Sequence, residues 1–263
     1  MKKFLYSFAM FIGFISITNT NNLIAQDFLW AKQIGNQNEE GVCSIITDVS
    51  GNVYTTGCFI GTVDFDPGSG TDYLTSAGEN DVYISKLDAS GNFLWAKQLG
   101  GVSSELSYSI TTDASGYVYT TGSFSDTVDF DPGSGITNLS SAGDMDVFVC
   151  KLDASGNFIW AENFGGIHDD TGCCSTTDDS GNVYTTGCFY GTADFDPGPG
   201  YFNMTSAGNE DVFILKTTSC SVPASPMAVN SQIYAGNSVI DSLTASGTNI
   251  LWYNVATGGT VLP

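Results

Sequence analysis

A block of 65 residues occurs three times in this chain, with no insertion or deletion between the copies. The run Asp-Phe-Asp-Pro-Gly begins at Asp64, Asp129 and Asp194, and Val-Tyr-Thr-Thr-Gly recurs with the same step. A fixed period means that the repeat is the unit of folding. It predicts a stack or ring of repeats. The same spacing relates three tryptophans: Trp30, Trp95 and Trp160.

Each repeat has the residue pattern of two β-hairpins. In the first repeat, residues 42–48, 53–65, 82–87 and 93–99 are rich in the β-branched and aromatic residues that suit strands. Asp-x-Ser-Gly-Asn at 48–52 and 88–92 predicts the turns, because Asp bonds the backbone and Gly accepts positive φ. The predicted fold class is therefore all-β, with three four-stranded antiparallel β-propeller blades at about 28–92, 93–157 and 158–218. A β-solenoid is the alternative.

The two ends of the repeat region indicate how the blades would close into a ring. An isolated strand is expected at 28–33, and the region ends at 212–216 without the Trp strand that should follow. The first strand is therefore expected to complete the last blade. Propellers use about four to eight blades. The chain would thus be a fragment, an open arc, or half of a homo-oligomer that completes a propeller ring.

Composition argues against several classes of function. The formal net charge is −21, with seven Lys, no Arg and one His. Nucleic-acid binding depends on Lys and Arg, so that partner is not expected, and an anionic membrane surface is disfavoured for the same reason. Membrane insertion is not expected either, because no segment after the first 25 residues is apolar enough to span a bilayer. His168, beside Asp169 and Asp170, has no nucleophile–base arrangement near it in the sequence. We expect no catalytic residues and no enzyme, although paired carboxylates hydrolyse glycosides in other proteins.

Residues 1–25 have the pattern of a secretory signal peptide. Lys2 and Lys3 precede an apolar stretch at 4–17, and Ala25 ends a cleavage-site pattern. The alternative is a membrane anchor, but this stretch is shorter than the ~20 residues that span a bilayer. The predicted location is secreted, or on the outer cell surface, where disulfides form.

Two cysteine pairs occupy equivalent places in the first and third repeats. The second repeat has Tyr108 and Ser123 there, so both members of the pair change together. If each hairpin turn centres on its Ser-Gly, the paired residues oppose each other within disulfide range. We predict the disulfides Cys43–Cys58 and Cys173–Cys188; two pairs of free thiols are the alternative. Three cysteines are left unassigned: Cys150, Cys174 and Cys220.

The repeated Asp-Phe-Asp-Pro-Gly run is a candidate calcium site. Its two aspartates lie two residues apart on an extended segment, so both carboxylates project from one face. Calcium prefers such hard oxygen ligands, and Ser69, Asp72 and Asp81 would add oxygens in the first repeat. The alternative is that these aspartates cap turns. The candidate ligands are Asp64, Asp66, Asp129, Asp131, Asp194 and Asp196.

These motifs, in one order, resemble the bacterial SBBP-type β-propeller repeat, which is common in secreted proteins of Bacteroidetes. Residues 219–263, with Cys220 and the Leu-Trp-Tyr run at 251–253, resemble the first half of an Ig-like domain. The resemblance implies a non-catalytic binding or adhesion protein whose partner is an extracellular glycan or surface protein. The loops at 35–41, 100–106 and 165–171 differ most between copies and are the expected binding site. The alternatives are a structural spacer and a fragment of a glycan-active enzyme.

Overall fold

The structure is a computed structural model that describes residues 27–218. The predicted signal peptide at 1–25 and Ig-like domain at 219–263 lie outside the described residues. Fifteen β-strands make up the regular structure of the described part. Within residues 27–218, no helix is long and apolar enough to cross a bilayer. The repeats belong to the unit Lys32–Pro263.

The first repeat folds into a four-stranded antiparallel sheet with a small added hairpin. The sheet order is β1-β2-β5-β6, and β3 pairs with β4. This confirms the four predicted strands, except that the second one breaks at 60–61. The β3–β4 hairpin was not predicted. The strands are β1 (Glu40–Thr47), β2 (Val53–Phe59), β3 (Thr62–Asp64), β4 (Tyr73–Thr75), β5 (Asp81–Leu87) and β6 (Phe93–Leu99).

The second repeat has the same order, β7-β8-β11-β12, with the small hairpin β9–β10. In the third repeat β13, β14 and β15 pair in that order, and the small hairpin is continuous with β14 and β15. The strands are β7 (Glu105–Thr112), β8 (Val118–Phe124), β9 (Thr127–Asp129), β10 (Asn138–Ser140), β11 (Asp146–Leu152), β12 (Phe158–Gly166), β13 (Thr171–Thr177), β14 (Val183–Asp194) and β15 (Asn203–Thr217).

The strand expected at 28–33 is not formed. Residues 27–36 carry no strand assignment, and Phe28 and Leu29 are exposed. An extended apolar segment becomes a strand only when a neighbouring edge accepts its backbone hydrogen bonds. The expectation that this segment completes the last sheet was therefore wrong for the described residues.

The hairpin turns form as predicted. The Asp48 Oδ1 atom accepts hydrogen bonds from the backbone N–H groups of Ser50 (2.9 Å) and Asn52 (3.0 Å). Gly51 has a φ of 79°, the left-handed region that glycine enters without steric cost. Asp88 makes the same bonds to Ser90 and Asn92. Aspartate and glycine together fix these turns.

A β-bulge shifts the register of the first hairpin in every repeat. In the first repeat the shift falls between Val42 and Ser44, opposite Gly57. A Cβ atom on Gly57 would lie 1.8 Å from the Gly41 carbonyl oxygen, so only glycine fits there. The bulges in the second and third repeats fall between Ser107/Ser109 and Gly172/Cys174.

The phenylalanine of each Asp-Phe-Asp-Pro-Gly run is buried in an aromatic triad. The ring centroid of Phe65 lies 5.3 Å from that of Phe59, with the two rings edge-on, and 4.9 Å from that of Tyr83, with the two rings tilted. The second repeat has Phe130 between Phe124 (5.2 Å) and Phe148 (5.0 Å). The run therefore anchors the small hairpin to the main sheet. The triad of the third repeat is Phe189, Phe195 and Phe213.

Successive sheets pack face to face. One buried cluster joins Tyr54 and Ile84 of the first repeat to Ile110 and Phe148 of the second. Another joins the second repeat to the third, through Tyr119, Val149 and Phe189 among others. Neighbouring repeats thus share a continuous apolar core.

A lysine and a tryptophan tie the first sheet to a turn of the second repeat. The Lys86 ammonium lies 4.9 Å from the Tyr54 ring centroid and donates to the Ala154 carbonyl at 2.9 Å. Trp95 Nε1 donates to the same carbonyl at 3.2 Å, and the Trp95 ring lies edge-on to Tyr54. These contacts support packing between repeats as the role of Trp95.

Replacement of Phe130 by alanine should destabilise the protein strongly. The change removes a buried ring from the middle of an aromatic triad, so the free energy of unfolding should fall by about 3–5 kcal/mol. Urea denaturation measures this loss. The exposed Phe202→Ala is the matched control and should shift stability by no more than about 0.5 kcal/mol. Equal losses for the two variants would contradict the triad.

Candidate functional site

The connections between strands gather at two opposite ends of the sheets. One end carries the tight Asp–Gly turns. The other end, here called the loop face, carries residues 35–39, 60–61, 76–80 and 100–104 and their counterparts in the later repeats. Loops of neighbouring repeats bond to each other there: Glu79 N–H donates to the Ser103 carbonyl at 3.3 Å, and Asp170 N–H to the Met145 carbonyl at 2.7 Å.

In each repeat, one residue of the variable loop contacts the connection near residues 60–61 or its counterpart. One residue of this connection, here called the corner residue, has a left-handed backbone conformation. The corner residues are Gly61 (φ 77°), Asp126 (φ 60°) and Gly191 (φ 61°). The Asn38 amide donates to the Ile60 carbonyl beside Gly61 at 3.2 Å. In the third repeat, a Cβ on Gly191 would lie 2.7 Å from His168 Cδ2. The loops therefore vary in sequence on a constant backbone support.

The third repeat carries a depression of about 400 Å³ around His168 on the loop face. Asp169 is held at its rim, where its Oδ1 accepts a hydrogen bond from Met145 N–H at 3.3 Å. The Tyr190 hydroxyl donates to Glu210 Oε2 at 3.5 Å, and the Glu210 charge raises the pKa of Tyr190. The lining residues are Asp144, His168, Asp169, Tyr190, Gly191, Gly208 and Asn209.

This depression is rich in hydrogen-bond acceptors. Its carboxylates, amide, imidazole and phenol suit binding of a polar or cationic group. Its lining contains no serine, threonine or cysteine that His168 could activate as a nucleophile. The structure brings His168 and Asp169 to the depression but directs Asp170 away, into the protein.

Beneath the loop face, two pairs of carboxyl groups are buried between repeats. Asp81 pairs with Glu105, and Asp146 with Asp170. A Cβ on Gly165 would lie 2.4 Å from Asp146 Oδ1 and 2.9 Å from Asp170 Oδ2, so both carboxylates approach one point. Within residues 27–218, one oxygen each of Asp81, Glu105 and Asp146 has no hydrogen-bond partner.

Burial shifts the protonation of these groups. Loss of hydration raises the pKa of Glu105 to about 7, and the charge of Asp81 adds to the shift. Burial likewise raises the pKa of Asp146 to about 6, with a contribution from Asp170. Sequence reasoning missed these pairs. The 65-residue step from Asp81 to Asp146 was visible, but the step from Glu105 to Asp170 changes residue type.

The predicted calcium ligands hold the backbone of the small hairpin. Asp64 Oδ1 accepts from the N–H groups of Asp66 (3.1 Å) and Asp72 (2.8 Å), and Asp66 Oδ1 accepts from Gly68 N–H (2.7 Å). The same bonds recur for Asp129 with Asp131, and for Asp194 with Asp196. Turn capping, the alternative, is thus directly observed in each repeat.

The calcium site itself stays a prediction. In the described part of the chain, no three Asp, Glu, His or Cys side chains cluster closely enough to hold a metal ion. Asp129 and Asp131 share a depression of about 460 Å³ with Asp72 of the preceding repeat. Asp81 does not join them, because it is buried beside Glu105.

The bulge corrects the predicted cysteine register. Cys58 lies opposite Gly41, and Cys43 is the extra residue of the bulge, so the two are not directly opposed. Cys188 likewise lies opposite Thr171. The six cysteines in the described residues are thiols. A hydrogen bond to Glu210 raises the pKa of Cys188 to about 11, and the neighbouring Cys173 adds to this rise.

Comparison with known proteins agrees with the architecture. The family described as a β-propeller repeat, SBBP, matches residues 94–123, which cover β6 to β8. An uncharacterised WD repeat-containing protein of Acanthamoeba polyphaga mimivirus is 27% identical over 186 residues, or 62% of this chain and 13% of the relative. The regulatory protein FlaEY of Caulobacter vibrioides is 25% identical over 176 residues, or 66% and 18%.

These similarities and the all-β repeats support a β-propeller repeat protein. The matched regions span less than a fifth of the length of either curated relative. The shared feature is therefore the repeat architecture, and the site residues of this chain must be judged on their own geometry.

Stability should depend on pH through Glu105. Its pKa is about 7 in the folded protein against an ordinary value of 4.5, so the folded state binds this proton more tightly. The contribution of Glu105 to the free energy of unfolding should therefore fall as the pH rises from about 4.5 to about 7, by on the order of 1 kcal/mol or more. Glu105→Gln should remove this fall and be more stable than the unmodified protein at pH 8.

Thermal unfolding at pH 5 and pH 8 measures the difference between Glu105→Gln and the unmodified chain. The exposed Glu79→Gln serves as control and should give the same difference at both pH values. A Glu105→Gln effect that does not change with pH would contradict the raised pKa.

In an oxidising compartment, we expect the disulfides Cys43–Cys58 and Cys173–Cys188. Each pair lies at the same bulge, and Cys173 and Cys188 are close enough to influence each other's pKa. Mass spectrometry of peptides from the non-reduced exported protein should find both bridges. Reduction should then cost at most about 3 kcal/mol per bridge. Free thiols at all four positions would refute the pairing.

Proposed function

We propose that this protein is a secreted or cell-surface, non-catalytic binding protein that recognises its partner with the loop face. The observation that carries the proposal is that the loops differing most between copies meet at one end of rigid sheets. In the third repeat they line a depression around His168. Binding residues are typically placed on variable loops held by a rigid scaffold.

The chemistry of the loop face favours a protein partner with cationic groups. Val102 and Ile167 are exposed at the loop tips, where large apolar side chains gain by being covered. Asp144 and Asp169 lie near Ile167, whose backbone contacts Gly143, and the chain has a formal net charge of −21. Acidic surfaces attract and orient basic partners. A glycan is the other ligand class that the acceptor-rich depression would suit.

Export and the finer architecture belong to the same proposal. The signal-peptide pattern at 1–25 supports secretion, and the proposed disulfides would form in an oxidising compartment. We assign the three repeats to three blades of an SBBP-type propeller in a bacterial surface protein, followed by an Ig-like domain at 219–263.

Two matched substitutions test the loop face. Ile167→Asp places a charge among the loop tips, whereas Ile136→Asp places the same charge at an exposed position of the β9–β10 hairpin. The full chain is screened against a panel of basic and neutral surface proteins and against a glycan array. We expect a protein ligand whose affinity falls about tenfold or more with Ile167→Asp, about 1.4 kcal/mol, and stays unchanged with Ile136→Asp.

Each other outcome has a definite meaning. Binding only on the glycan array would assign the glycan alternative. A ligand whose affinity is insensitive to Ile167→Asp would reject the loop face. No binding in either screen would favour the structural spacer.

A further inference from the structure

In the first and second repeats, one face of the sheet is covered by the sheet of the following repeat. Within residues 27–218, no sheet covers the same face of the third repeat. We call this the trailing face. In the third repeat it consists of Cys174, Thr176, Tyr184, Thr186, Val212 and Ile214, which lie on one side of β13, β14 and β15.

Equivalent positions show how much surface is uncovered. Val82 and Val147 are fully buried, whereas Val212 is 70% exposed. Ile84 and Val149 are also fully buried, whereas Ile214 is 81% exposed. The residue types are nearly unchanged, so the difference comes from the absence of a following sheet among the described residues.

The opposite side of the first repeat is open in the same way. We call it the leading face, and its apolar residues are Val42 and Ile45, which are 68% and 66% exposed. Their counterparts in the second repeat, Ser107 and Ile110, are 0% and 4% exposed because the first repeat covers them.

We call the contact between the trailing face of one repeat and the leading face of the next a joint. The two joints within the chain show that these faces are complementary. Ser107 Oγ lies 2.6 Å from Thr56 Oγ1 across the first joint. At the second joint, a Cβ on Gly172 would lie 2.6 Å from Val147 Cγ1 and 2.7 Å from Thr121 Cγ2. Position 172 corresponds to Val42, and positions 147 and 121 correspond to Val212 and Thr186. The unpaired faces therefore carry both halves of the same joint.

The loops beside the two open faces also resemble the loops at the internal joints. Glu105 Oε2 accepts from Gly101 N–H at 2.9 Å, and Glu40 Oε1 accepts from the equivalent Asn36 N–H at 3.2 Å. Gly78 and Gly143 each lie against the loop of the next repeat, whereas Gly208 has nothing within 4 Å. Glu40 thus already has the conformation that Glu105 adopts inside a joint.

We propose that the trailing face of the third repeat binds the leading face of a second copy of this chain. The contact repeats an interface that the chain already forms twice within itself, and a second copy carries the complementary surface. Because the two faces differ, the association is head-to-tail. Two copies of residues 27–218 would supply six repeats, within the range of about four to eight blades that close a propeller.

Light scattering after gel filtration of the full chain tests the proposal. We expect a dimer or larger multiple for the unmodified protein, and loss of association for Ile214→Asp and for Ile45→Asp. The exposed Ile136→Asp should keep the association. Mixing the two face variants should restore a heterodimer, because the leading face of Ile214→Asp and the trailing face of Ile45→Asp are both intact.

A covalent test remains decisive if a face variant fails to fold. Val42→Cys combined with Val212→Cys changes only exposed residues and should give a disulfide between copies, seen as a dimer on a non-reducing denaturing gel. Mass spectrometry should join the peptides containing positions 42 and 212. Val42→Cys combined with Ile136→Cys is the control. A monomeric unmodified protein, or association unaffected by both face variants, would overturn the proposal.

Discussion

Burial of one sheet face by the next repeat is the interaction on which the described structure depends. Tyr54, Val82 and Ile84 are fully buried only because the second repeat covers them. Repeat proteins gain stability from such nearest-neighbour interfaces as well as from each repeat itself. The aromatic triads fasten each small hairpin to its own sheet, whereas the face-to-face joints hold the repeats in series.

The same joints carry an electrostatic cost. Each brings two carboxyl groups together beneath the loop face, where burial disfavours their charged forms. Gly100 and Gly165 make room for this approach, because a Cβ on either would collide with Asp81 or Asp146. The variable loops above the joints are thus supported by groups whose protonation changes near neutral pH. Loop conformation and joint stability are physically coupled at this end of the sheets.

Much of the fold follows from local sequence signals. Aspartate and glycine at the turns and β-branched residues in the strands were sufficient to predict four strands per repeat. The β3–β4 hairpin escaped prediction because three-residue strands have too few residues to show alternation. The predicted cysteine register was wrong because the bulge adds one residue to the first strand of the hairpin. The only local signal of the bulge was the recurring glycine at 57, 122 and 187. The strand expected at 28–33 failed because strand formation depends on a partner edge that local sequence does not specify.

The site was less predictable than the fold. The variable loops do gather at one end of the sheets, where Asn38, Ser103 and His168 occupy equivalent positions. The depression around His168 depends on Tyr190 and Asn209, which come from distant parts of the third repeat. The buried carboxyl pairs depend on contacts between repeats, which a single repeat does not reveal.

The placement of the lysines limits where a protease could cut the repeats. Proteases of the trypsin type cut after lysine or arginine, and this chain has no arginine. Lys86 and Lys151 are buried against tyrosine rings, and Lys97 lies within the paired strand β6. Within residues 27–218 this leaves Lys32, which precedes β1, because Lys216 lies in the paired strand β15 with its ammonium over the Tyr184 ring. A protease of this class would therefore cut ahead of the first sheet and leave the three repeats as one uncut block.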